Sequence, residues 1–91
     1  MTIEARARRV DAAIEATPGA VNWRSEALAL LAEGKETLAI LAAFSAAECV
    51  LEAVPTVGRE IEPAGLRSYI WRQVVALTDG GIAVMDLRPI D

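Results

Sequence analysis

LRSYIWRQVVALTDGGIAVMDL, residues 66–87, fits two secondary-structure periods at once. Leu66, Tyr69, Ile70, Val74 and Leu77 recur at helical spacing, and Pro63 suits the first turn of a helix starting just before them. Yet Tyr, Ile, Trp, Val and Thr are strand formers, and Asp79-Gly80 is the dipeptide of a tight hairpin turn. The strand reading pairs residues 69–78 with 81–87. It gives an α+β fold, about three N-terminal helices followed by a C-terminal β-hairpin. The alternative is a mostly α chain with a fourth helix at about 64–78 and one short strand.

Upstream the helical pattern is clearer. Residues 2–16 place Ile3, Ala7, Val10 and Ile14 along one face, and Pro18-Gly19 ends that helix. A second helix is expected from Asn22 or Ser25 to Glu33, with Trp23, Ala27, Leu30 and Leu31 inward. Gly34 can take the left-handed turn that closes it. A third runs from Glu36 to Val54 and stops at Pro55. Its expected core stripe is Ile40, Phe44, Ala47, Leu51 and Val54, widened by Leu38, Leu41 and Val50. Ser45, Glu48 and Glu52 form the polar edge. Beyond it, Pro55, Gly58, Pro63 and Gly65 break the pattern, leaving Arg59–Glu62 as a candidate edge strand.

The chain is 91 residues long, which fits one domain over 1–91. It is 54% hydrophobic, 24% charged and carries a net charge of −4. The acidic balance disfavours nucleic acid, because phosphate neutralisation needs a basic face. A winged-helix-like DNA-binding regulator shares the order of three helices and a hairpin. Its third helix would then present Ser45, Glu48 and Glu52 to phosphate, which opposes that reading. The most apolar segment, Leu38 to Val54, is interrupted by those residues and falls short of the ~20 needed to span a bilayer. The expectation is a soluble cytoplasmic protein with no membrane partner.

Chemistry is sparse. There is no histidine, which removes the commonest general base and most transition-metal sites. The one cysteine, Cys49, lies in the third helix without a base to activate it, so it reads as a small buried hydrophobe. Glu48 and Glu52, with Glu33 and Glu36 nearby, lack the Glu-x-x-His element of helical metal sites and read as a solvated edge. Asp79-Gly80-Gly81 has too few glycines for a phosphate cradle. No enzyme, cofactor or metal is expected.

What remains is Arg67-Ser68-Tyr69-Ile70-Trp71-Arg72, rich in the residue types of binding hot spots. As a helix it puts Arg67 beside Trp71 at i,i+4, within cation–π reach. Arg67, Tyr69, Trp71 and Arg72 are therefore the candidate partner-binding residues, with Trp23-Arg24 second. The expected function is a small non-enzymatic interaction protein: an accessory subunit, regulator or inhibitor binding a partner protein, a second copy, or both.

Overall fold

A computed structural model describes residues 3–78 of the chain. Five helices follow one another: α1 (Ile3–Glu15), α2 (Pro18–Ala32), α3 (Glu36–Ala53), α4 (Val57–Glu60) and α5 (Pro63–Thr78). There is no strand among the described residues.

The first turn is built by Thr17 and Pro18. Thr17 stays extended, at φ −110° and ψ 99°, and donates its hydroxyl to the Ala13 carbonyl at 2.8 Å. That satisfies a carbonyl which the end of α1 leaves without a helical partner. Pro18 then opens α2, where a missing N–H costs nothing. This corrects the expected start of α2 at Asn22 or Ser25, since the proline that ends one helix also begins the next. Gly34 closes α2 as anticipated, at φ +79°, and the Lys35 N–H reaches the Leu30 carbonyl at 2.9 Å. Glycine adopts that φ without a Cβ clash.

Helices α2 and α3 then run antiparallel and share the most extensive contact in the fold. Both helices turn alanines inward: Ala20 and Ala27 of α2, and Ala39, Ala42, Ala43, Ala46 and Ala47 of α3, are all buried. Small side chains let helix axes approach closely. At the far end of the hairpin a Cβ on Gly19 would come within 3.3 Å of the Cys49 sulfur.

Larger residues fill the other half of the core. Tyr69, Leu66, Ile70 and Val74 of α5 meet Val10 and Ile14 of α1 and Val50 of α3, all buried almost completely. Val57 of α4 and Ile61 close the end of this cluster, and Arg9 pairs with Glu60 to hold α1 to α4.

The α+β expectation is overturned by α5. Residues 69–78, read as the first hairpin strand, are the body of a helix that begins at Pro63. Tyr69, Ile70 and Val74 are nonetheless buried on this helix, and burying them against the other helices outweighs intrinsic propensity. The mostly α alternative agrees with this architecture. The candidate edge strand Arg59–Glu62 is also corrected: Arg59 and Glu60 end α4, Ile61 is extended at φ −147° and ψ 135°, and no strand forms there. The expected return strand, 81–87, lies outside the described residues.

Candidate docking surface

Helix α3 has two apolar sides. The inner one is the alanine row together with Val50. The outer one carries Leu38, Leu41 and Phe44, three residues apart, with relative exposures of 51%, 56% and 37%. Hydropathy puts these three in the core, and the structure places them outside it. The alanine row is buried where α3 packs on α2 and α5, and turning it inward turns the larger side chains outward. Ser45, Glu48 and Glu52 lie among them rather than on a separate edge. Ser45 satisfies its hydroxyl on the Leu41 carbonyl at 3.1 Å.

Trp23 extends this surface onto α2. The residue is 43% exposed, correcting the inward placement expected of it. It lies one turn after Gly19, while Ser45 lies one turn before Cys49. The Gly19–Cys49 approach therefore carries Trp23 to the level of Ser45 on the neighbouring helix. Single exposed apolar side chains are ordinary on any protein. Leu38, Leu41 and Phe44 share one side of α3, with Trp23 on α2 at the level of Ser45, and a group of large exposed apolar residues of this kind marks association.

One of the hot-spot candidates borders this patch. The Arg67 guanidinium sits 5.7 Å from the centre of the Phe44 ring and donates to Glu48 at 2.7 Å. The aromatic beneath it is thus Phe44 on α3, in place of the Trp71 expected one turn away on its own helix. Arg67 and Glu48 make a charged rim beside the apolar row, the anatomy of many protein interfaces.

Its companions are scattered around α5 by the 100° helical step. Arg72 is exposed on another side, and Trp71 is half-buried against the core. Tyr69 is 1% exposed. Its hydroxyl donates to Asp11 Oδ1 at 2.6 Å, and Gln73 Nε2 donates to the same oxygen at 2.7 Å. Arg24 reaches the Gln73 carbonyl oxygen at 3.4 Å and pairs with Glu15 at 2.5 Å. This chain of polar groups ties α1, α2 and α5 together. Burial, then the hydrogen bond and charge of Asp11, push the Tyr69 phenol above its ordinary range. A phenol held protonated and committed to an internal carboxylate serves the fold, and the side chain presents almost no surface to a partner.

Among the described residues, no group of three or more Asp, Glu or Cys is arranged to hold a metal ion. Nor is any described helix long and apolar enough to cross a membrane. No family model, curated protein or solved structure matches the chain.

Leu38, Leu41 and Phe44 are the surface residues that hydropathy alone misassigns. A signal for them exists in the sequence. Leu41 lies one turn before Ser45 and two turns before Glu48, so whichever side carries the glutamates to water also carries Leu41.

Proposed function

We propose that this protein acts by docking, without catalysis of its own, through the outer side of α3 and the adjacent Trp23. The observation that carries the reading is the exposed row Leu38, Leu41 and Phe44 in a helix whose inner side is already packed with alanine. Leaving such side chains in water forgoes roughly 25 cal/mol for every Å² of apolar area, a gain that a partner's surface recovers. Arg67 and Glu48 at the edge supply charge for orientation, and Trp23 supplies a rigid aromatic anchor.

The chemistry of the surface supports a protein partner over nucleic acid. Its charged groups include Glu48 and Glu52, and the nearby Arg67 is already paired with Glu48. Phosphate would meet apolar side chains and carboxylates there. An accessory, regulatory or inhibitory role in the cytoplasm is consistent with such a surface.

Capture from a cell lysate that also contains an untagged copy of the chain tests this reading. Tagged wild-type protein is expected to retain a stoichiometric protein, either another chain or the untagged copy. The Leu41→Arg variant, confirmed helical by circular dichroism, is expected to lose it. Identical captures from both proteins would overturn the proposal.

A further inference from the structure

Helices α2, α3 and α5 each pack closely on the other two and form a three-helix unit of their own. Helix α1 has its close backbone neighbours in α2 and α4 and stands further from α5. Side chains bridge that gap. Val10 and Ile14 reach into the core and are fully buried. Between them Asp11 accepts from Tyr69 at 2.6 Å and from Gln73 at 2.7 Å, both on α5. Arg9 pairs with Glu60 of α4, and Glu15 with Arg24 of α2. Each of those two pairs has a side chain more than half exposed and contributes little. The polar hold on α1 therefore rests chiefly on Asp11.

The joint to the rest of the chain is narrow. Thr17 is extended and Pro18 has no N–H, so the hydrogen-bond ladder of α1 does not run on into α2. We infer that α1 is a hinged strap, which lifts as one piece about Thr17–Pro18 while the α2–α3–α5 unit stays folded. Lifting it exposes Ala7, Val10, Ala13 and Ile14 and breaks the Asp11 bonds. Unfolding the whole chain exposes the buried sides of α3 and α5 as well, so the first opening costs less than the second. The open form frees the Tyr69 hydroxyl and the Gln73 amide, two donors otherwise committed to Asp11. Both are almost completely buried when the strap is closed. Opening thus creates a second surface, one with hydrogen-bonding as well as apolar character. It does not rest on the docking reading, which concerns the outer side of α3.

Native-state hydrogen exchange of the full chain, read amide by amide where reclosing outpaces exchange, tests the strap directly. Residues 10–15 are expected to share one opening, about tenfold or more as populated as that of the slowest α3 amides. Low urea should accelerate the α1 opening less steeply than the α3 one, because less surface is exposed. Gly34→Ala strains the α2–α3 turn, where φ is +79° and no atom lies within 4 Å of the added methyl. It should speed the slowest α3 amides about tenfold. Residues 10–15 should not respond, since that strain persists whether α1 is lifted or closed. Asp11→Ala should speed both sets by on the order of ten- to a hundredfold, because both openings break its bonds. Equal acceleration of α1 and α3 by Gly34→Ala, or equal urea slopes, would overturn the inference: α1 would then let go only with the whole chain. Exchange graded inward from Ile3 without a shared opening would also overturn it, as simple fraying.

Discussion

Helices α3 and α5 are of similar length, and they use their large apolar residues in opposite ways. In α5, Leu66, Tyr69, Ile70 and Val74 are buried and carry the core. In α3 the buried positions are mostly alanine, and Leu38, Leu41 and Phe44 face outward. The contrast separates two tasks. Stability rests on area removed from water, and the large fully buried side chains sit mainly on α5 and α1. The close α2–α3 contact needs small side chains, which frees the larger ones of α3 for another surface.

The sharpest way to break the comparison is Ile70→Ala. It removes a fully buried side chain from α5, and urea denaturation should show a loss of about 2–5 kcal/mol. Ala43→Leu attacks α3 from its inner side. Forcing a larger residue into the α2–α3 contact should cost about 1–3 kcal/mol, read as a lower thermal midpoint. A cost near zero would show that the alanine row is not close-packed.

Tyr69→Phe gives an intermediate effect, about 1–2 kcal/mol, because Asp11 keeps Gln73 and loses the phenol. The same residue sets an alkaline limit. Its raised pKa means that the folded chain holds this proton more tightly than the unfolded chain does. The resulting stability is complete below the ordinary phenol pKa of ~10 and is lost as pH rises beyond it. Tyr69 is the only tyrosine in the chain, so tyrosinate absorbance should appear late and together with unfolding. Stability of Tyr69→Phe should lack this part of the alkaline slope. The smallest effect belongs to Arg67→Ala. Its surface pair with Glu48 contributes no more than about 1 kcal/mol, and that difference should shrink in added salt.

Much of the helical half is legible in the sequence alone. Pro18-Gly19, Gly34 and Pro55 are backbone signals, and each marks a real helix boundary because its cause is local. Residues 66–78 are less legible, since Tyr69, Ile70, Val74 and Val75 satisfy both periods. Helix α5 wins through the burial of its face on α1, α2 and α3, a long-range cause that no local window contains. The candidate surface is legible only in part. Arg67 stands out by its residue type and does lie at the rim. Tyr69 has the same hot-spot character, yet it is occupied inside by Asp11. Leu38, Leu41 and Phe44 stay hidden because hydropathy ranks leucine and phenylalanine above alanine as core residues. In α3 the buried side is the alanine one, which reverses that ranking.

The division of labour within α3 is tested most directly by the urea midpoints of Leu41→Arg and Ala43→Leu, each beside wild type. If Leu41 serves an outer surface alone while Ala43 packs inside, Leu41→Arg should leave the midpoint unchanged and Ala43→Leu should lower it. A Leu41→Arg variant that unfolds in less urea than wild type would contradict this and make Leu41 part of the fold.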